Sequence, residues 1–248
     1  MPEDREDLGK LLAWIEPVVA WDTPIPKVEG EDQDVVTAAT ALLRSAFIQA
    51  RAVHLLHGSP AREAGGVNCR SLLEAFAELH WLLRRSDRLR NSRKMFIFAH
   101  FELESQLRTD PASSEELQRT QAAMARLQGI DPDAYAEVQQ QVGRGAQYWT
   151  GVGRLEMIRA CFEWIHDRDP KQGRALAAQG YKLFSWEDHH VMAILSMIDL
   201  SRGEAGHPTI QLVRGPEGPD DFNSGFAARV LASCWELVSQ AFPSAFLL

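Results

Sequence analysis

The chain has 248 residues, of which 45% are hydrophobic and 24% charged, and its formal net charge is −8. This composition is typical of a folded globular protein and argues against disorder except at the ends of the chain. The length is sufficient to bury a core without a metal or disulfide. The acidic balance argues against broad nucleic-acid or anionic-membrane binding, because such binders usually carry the opposite charge. The chain nevertheless contains one basic run, which consists of Arg84, Arg85, Arg88, Arg90, Arg93 and Lys94. We interpret this run as a solvated helix end and turn.

The three cysteines indicate a reducing environment. Cys69, Cys161 and Cys234 each lie within an apolar helical pattern, and none forms a Cys-x-x-Cys motif. We interpret them as reduced thiols that pack as small core residues. The first six residues lack the apolar stretch of a signal peptide, and no window approaches the roughly 18 apolar residues of a membrane helix. We therefore expect a cytoplasmic protein with no membrane span.

Apolar residues recur at three- and four-residue steps through most of the chain, which predicts helices separated by Gly and Pro. In chain order the predicted helices cover residues 7–16, 33–57, 60 or 66 to 85, 88–107, 113–127, 133–142, 154–167, 171–184, 185–200 and 225–241. Strand signals are nearly absent, apart from the run Thr209 to Val213, which allows a short β-hairpin near residues 205–216. The predicted fold class is all-α, an irregular multi-helix bundle of about eight to ten helices.

The pattern predicts two parts of unequal size. Residues 1–32 form a short helix and a Pro-rich loop, and residues 33–248 form a single helical domain with a docked C-terminal tail. The tail, Phe242 to Leu248, is apolar and is expected to pack on the body or on a second subunit. A homo-oligomer is therefore one expected arrangement.

A glycine-rich loop, Gly143 to Gly153, surrounds Tyr148 and Trp149. No predicted strand precedes it and no Gly-Lys-Ser or Gly-Lys-Thr closes it, so neither common phosphate-binding pattern is met. We predict no cofactor for this chain.

Two Glu-x-x-His pairs are weak candidates for a metal site: Glu163 with His166, and Glu187 with His190. Residues three apart share a helix face, so each pair can present a carboxylate and an imidazole to one ion. Di-iron bundles add a glutamate from a neighbouring helix to each such pair, and no glutamate-bearing helix is predicted between these two.

The most informative polar residues lie on the helix that follows residue 60. Arg70 and Glu74 are four apart and therefore share one face, opposite the apolar stripe of Leu72 and Phe76. Leucines and Trp81 flank the ion pair, which is typical of a central helix buried on two sides. His189 lies in a predicted helix that is apolar nearly all round, where an imidazole needs a partner.

Three short segments resemble a bacterial family of helical proteins known as domain of unknown function 5677. They are an Arg-Ser-Leu-Leu-Glu stretch (residues 70–74), an aromatic-x-Gly element (residues 149–151), and a Tyr-Ser-His series at four-residue steps (Tyr181, Ser185, His189). The resemblance covers roughly residues 35–240 and implies an α-helical fold but no established activity. In this chain His190 and an apolar run follow the histidine, where the family has a small or turn residue.

One structural and three functional interpretations remain open. Arg70 and Glu74 form either an intrahelical ion pair beside a core histidine, or a catalytic or ligand site in a pocket with Tyr181 and His189. The second interpretation predicts a nucleotide- or RNA-handling protein of the defence type, in which arginine holds phosphate and histidine moves a proton. The alternatives are a non-catalytic oligomeric binding or scaffold protein and, more weakly, a metal-binding bundle. The sequence leaves the question of enzymatic activity, and the identity of any small-molecule ligand, undecided.

Overall fold

The computed structural model describes residues 4–20, 22–28, 32–57, 64–84, 86–109, 114–165, 168–175, 177–178, 181, 198–202, 208–212 and 220–246. The regular elements, in chain order, are α1 (Asp4–Val19), α2 (Asp32–Leu56), α3 (Ala64–Arg84), α4 (Arg88–Leu107), α5 (Ser114–Ile130), α6 (Pro132–Gly143), α7 (Arg154–Ile165), β1 (Ile198–Arg202), β2 (Pro208–Leu212) and α8 (Asp220–Ala241). Residues 170–175 and 177–178 are also helical. The expected all-α multi-helix fold is confirmed.

Helix α3 lies at the centre of the fold because both of its sides are apolar. It contacts α2, α4, α7 and α8. Leu72 and Phe76 on one side, and Leu73 and Ala77 on the other, are all buried. Because other helices cover α3 on both sides, its polar face lies inside the protein. A charged residue on that face therefore needs a partner.

Helix α1 is longer than expected, because it continues through Pro17, where we predicted a loop. Proline lacks the amide hydrogen and removes one helical hydrogen bond. The burial of Ile15 and Val19 in the core offsets that loss. α1 contacts α2 and α8, and Leu8 is buried in the same core cluster as α2, α3 and α8.

Asp131 marks the junction between α5 and α6. Its carboxylate accepts a hydrogen bond from the backbone N–H of Ala134 at 2.9 Å, and Pro132 occupies the first turn of α6. Both features are typical of a helix N-terminus. α5 continues through Gly129 to Ile130, three residues beyond its predicted end.

Strands β1 and β2 pair in an antiparallel ladder that aligns Ile198 with Leu212 and Arg202 with Pro208. This ladder differs from the hairpin expected near residues 205–216, since that range includes β2 but not β1. It also corrects the end of the helix predicted for residues 185–200, because the last three of those residues lie in β1. The spacing of apolar residues alone cannot distinguish the end of a buried helix from a short buried strand.

The C-terminal aromatic residues pack on their own chain. Phe242 and Phe246 are buried, and the Phe246 ring lies 6.2 Å from the ring of Trp235 in α8. Trp235 in turn lies 5.2 Å from Trp14 of α1. These edge-to-face ring contacts connect the end of the described chain to its beginning.

Candidate functional site

A polar cluster lies where α3 meets α7 and the glycine-rich loop. Its members are Arg70, Glu74, Glu78, Tyr148, Trp149, Arg154 and Tyr181. The three α3 residues are spaced by four, so they project from one face of that helix. The same spacing that identified Arg70 and Glu74 extends to Glu78, which our sequence reasoning missed.

Arg70 contacts two of the residues expected beside it. Its Nε donates to Glu74 Oε1 at 3.0 Å, and its Nη2 donates to the Tyr181 hydroxyl at 3.1 Å. The guanidinium also lies 5.1 Å from the centre of the Tyr181 ring, which is a cation–π distance. The structure therefore brings Arg70, Glu74 and Tyr181 together, although the last two are 107 positions apart in the sequence.

Arg154, the first residue of α7, is the second cation of the polar cluster. Its Nη1 lies 2.7 Å from Glu74 Oε2, and its guanidinium lies 4.6 Å from the centre of the Tyr148 ring. Glu74 thus bridges two arginines, one at each carboxylate oxygen. No sequence pattern pointed to Arg154, because its contact with Glu74 depends on how α7 packs against α3.

Glu78 is a carboxyl group with a perturbed environment. Its Oε2 accepts a hydrogen bond from the buried Trp149 indole at 3.0 Å. Burial raises the pKa of Glu78 above its ordinary value, and the negative charges of Glu74 and Glu102 raise it further. The Trp149 hydrogen bond and the Arg154 charge oppose the shift without cancelling it. A carboxyl group with a raised pKa can hold a proton closer to neutral pH.

The glycine-rich loop positions the aromatic side of the polar cluster. Gly151 adopts φ +68°, a backbone conformation that favours glycine over residues with a side chain. Thr150 Oγ1 accepts from the backbone N–H of Val152 at 3.2 Å, which closes the turn. The loop holds Trp149 against Glu78, and this structural role replaces the phosphate-binding pattern that the sequence does not meet.

Described residues from each of the three segments that carry the family resemblance lie close together here. Residues 70–74, 149–151 and Tyr181 all contribute to the polar cluster or its supporting turn. His189, the fourth predicted site residue, lies outside the described residues. Its place in the site remains a prediction.

The candidate metal ligands are only partly within the described residues. Glu163 forms an ion pair with Arg174 at 2.9 Å. His166, Glu187 and His190 lie outside the described residues. Across the residues that the structure describes, no group of three His, Cys, Asp or Glu side chains is arranged to hold a metal ion.

Three of the six cations in the basic run pair with acidic side chains from other segments of the chain. Lys94 and Arg90 both contact Glu137 of α6, and Arg93 contacts Asp34 of α2 and Asp131. These three cations therefore form a structural network rather than an open basic surface. Arg84, further back on α3, donates to Gln240 at 3.0 Å.

The three cysteines are buried and reduced, as expected from their apolar surroundings. Burial raises the pKa of the Cys161 thiol and of the Cys234 thiol, so the reactive thiolate is disfavoured at both. We assign them to the core.

Comparison with protein-family models, with curated proteins and with solved structures gave no significant match. Among the helices of the described residues, none combines the length and apolar character that a membrane span requires.

Proposed function

We propose that this chain is a cytoplasmic protein that handles a nucleotide or RNA, with the polar cluster as its phosphate-binding site. The observation that supports this most is the sharing of Glu74 between Arg70 and Arg154. Two guanidinium groups from separate helices converge on one carboxylate. Two oxygens of a tetrahedral phosphate group can accept paired hydrogen bonds from a planar guanidinium, as the two oxygens of a carboxylate do.

Charge and exposure support an anionic ligand at this position. The Arg70 side chain is 21% exposed and the Arg154 side chain 35% exposed, whereas that of Glu74 is 10% exposed. The arginines can therefore be reached from solvent while their shared carboxylate is covered. When Glu78 is protonated, the two arginines and Glu74 leave a net charge of +1 in the cluster.

A proton-transfer group stands beside the cations. Glu78 has a raised pKa, and the Tyr181 hydroxyl already contacts Arg70. In RNA cleavage or nucleotide hydrolysis, cations stabilise charge on phosphate while a neighbouring acid or base moves a proton. We assign phosphate binding to Arg70 and Arg154, and proton transfer to Glu78. The resemblance adds His189 to the proton-transfer residues.

Calorimetric titration with AMP, and with adenosine as the ligand that lacks phosphate, tests the binding step. Arg154→Met is the informative variant, because Glu74 keeps Arg70 as its partner and we therefore expect the fold to be retained. Arg174→Met is the matched control, since Arg174 pairs with Glu156 and Glu163 outside the cluster. We expect AMP to bind more tightly than adenosine, and Arg154→Met alone to weaken AMP binding by about tenfold or more.

Two results would contradict this function. One is the absence of AMP binding in the wild type, and the other is equal weakening by Arg154→Met and Arg174→Met. Incubation with single-stranded RNA tests the chemical step separately. We expect Glu78→Gln and His189→Ala to abolish any cleavage while circular dichroism stays that of the wild type.

The tail does not favour the scaffold alternative. Phe242 and Phe246 are buried against their own chain, so the aromatic surface that would serve a partner is already covered. Removal of residues 242–248 is therefore expected to lower the stability of the chain itself.

A further inference from the structure

A cleft of about 290 Å³ lies between α2 and the loop of residues 22–28. Ile25 of the loop forms one wall. One stripe of α2 forms the other, and its members recur at three-, four- and seven-residue steps: Thr37, Ala41, Arg44, Ser45, Ile48 and Gln49. The cleft shares no residue with the polar cluster.

The loop wall is held in place at both ends. Gln33 accepts a hydrogen bond from the backbone N–H of Val28 at 3.0 Å and donates to the carbonyl of Pro26 at 3.2 Å. At the other end, Arg44 Nη2 donates to the carbonyl of Thr23. Ile25 stands between these attachments and between two prolines, which restrict the backbone on either side. A wall fixed in this way costs little ordering entropy when a ligand binds.

Arg44 provides a charge that its surroundings do not balance. Its Nε is buried and has no hydrogen-bond acceptor. Among the described residues Arg44 also forms no ion pair. A buried guanidinium donor without an acceptor is costly. Because Nε itself is covered, a ligand anion in the cleft supplies negative charge to the guanidinium as a whole and not an acceptor to Nε.

The rest of the cleft is apolar with a small polar margin. Ile48 is 52% exposed although it is a large aliphatic residue, and Ile25 faces it from the loop. Ser45 and Gln49 add hydrogen-bonding groups beside Arg44. A single guanidinium next to two isoleucines suits a ligand with one charged end and one apolar end.

We propose that this cleft binds a small monocarboxylate with an aliphatic tail. The carboxylate neutralises Arg44 and accepts from Ser45, and the tail covers Ile25 and Ile48. Among the lining residues Arg44 is the one cation, so a monoanion matches the site better than a phosphate dianion does. The cleft volume lies near the small end of ligand sites, which limits the ligand to a short chain.

Titration of the whole protein with hexanoate, and with uncharged hexanamide as the matched probe, tests the proposal. We expect hexanoate to bind about tenfold to a hundredfold more tightly than hexanamide, because the carboxylate forms a charge-assisted hydrogen bond. Arg44→Gln is expected to remove this difference. Ala41→Glu is a second variant, since a carboxylate three residues before Arg44 can pair with it and exclude hexanoate.

Arg44 also supports the loop, so each variant is first compared with the wild type by thermal unfolding. If Arg44→Gln does not fold, Ala41→Glu decides the question, because position 41 is exposed and tolerates a longer side chain. The proposal is overturned if hexanoate does not bind, if it binds no more tightly than hexanamide, or if the folded variants bind it as the wild type does.

Discussion

The polar cluster and the α4 ion-pair network are built from the same types of charged residue, but they shift the pKa of their glutamates in opposite directions. The α4 ion-pair network consists of Arg90, Arg93, Lys94, Asp34, Asp131 and Glu137. Burial alone would raise the pKa of Glu137, but the hydrogen bonds and charges of Lys94 and Arg90 outweigh it and lower that pKa. In the polar cluster the pKa of Glu78 is raised instead.

The difference lies in how well each carboxylate is compensated. Glu137 has two cations in direct contact, whereas the direct partner of Glu78 is the neutral Trp149 indole. In the α4 ion-pair network each carboxylate is stabilised in its charged form by neighbouring cations, which is typical of a structural role. A group held away from its preferred charge state is the more common sign of a functional site. This contrast is the physical reason for placing function at α3 rather than at the basic run.

The largest effect is expected from Glu74→Gln, which leaves two arginines without their shared carboxylate. Breaking a fully buried ion pair costs roughly 3–5 kcal/mol, and the partial exposure of both arginines reduces the expected loss of unfolding free energy to about 2–3 kcal/mol. Chemical denaturation measures it. Glu137→Gln in the α4 ion-pair network is the matched variant, with a loss of about 1 kcal/mol or less. Equal losses would remove the distinction between the two regions.

The next effect concerns the pH dependence of stability. Because the folded state raises the pKa of Glu78, it binds a proton more tightly than the unfolded state does, and the associated stability is complete below the ordinary pKa of 4.5. That stability is lost as the pH rises through the higher folded pKa. Glu78→Gln keeps an acceptor for Trp149 and removes the titration.

We therefore expect Glu78→Gln to unfold at a higher temperature than the wild type at pH 7, by about 2–4 °C for each kcal/mol gained. Near pH 4 the two proteins are expected to converge. Thermal unfolding across this pH range gives the comparison. A wild-type advantage that grows with pH would mean that the Glu78 charge is stabilised rather than penalised.

The α4 ion-pair network is expected to respond with the opposite sign. Since the folded state lowers the pKa of Glu137, its contribution is present above the ordinary value and is lost as the pH falls through the folded pKa. Glu137 is partly exposed, so solvent screening limits the effect to about 0.5–1 kcal/mol. Denaturation of Glu137→Gln and wild type at pH 7 and pH 3 measures it. The stability difference is expected to shrink at the lower pH, and a constant difference would point to packing instead of charge.

The Arg70–Glu74 contact in the polar cluster was predictable because it depends on local spacing. Arg70 and Glu74 are one helical turn apart, and a turn fixes their contact whatever surrounds it. Tyr181 came from the resemblance alone, and its contact with Arg70 was found in the structure. Helix boundaries also depend on local sequence, and α4 begins and ends at the predicted residues, 88 and 107.

The remaining parts depend on packing between distant segments. Arg154 meets Glu74 only because α7 lies against α3, and Lys94 meets Glu137 only because α6 lies against α4. No spacing in the sequence encodes these contacts. Pro17 shows the same limit at the level of one helix, since its local preference to end α1 is overcome by the burial of Val19.

The smallest effect calibrates the others, because two ion pairs in this chain have the same four-residue spacing in different surroundings. Arg108 pairs with Glu104 on α4 at 2.8 Å and is 64% exposed, whereas Arg70 pairs with Glu74 at 3.0 Å and is 21% exposed. Within a helix, glutamate placed before the basic residue is the better order, which favours the Arg108 pair. Burial and the Tyr181 contact favour the Arg70 pair.

Arg108→Gln is therefore expected to cost about 0.3–0.5 kcal/mol, and Arg70→Gln about 1–2 kcal/mol. Denaturation at low and high salt distinguishes the two ion pairs. High salt should screen most of the stabilisation from the exposed Arg108 pair and little of that from the Arg70 pair. If Arg70→Gln costs no more than Arg108→Gln, helix order outweighs burial at α3. The polar cluster would then be a surface ion pair in energetic terms, and its arginines would have no special capacity for a phosphate ligand.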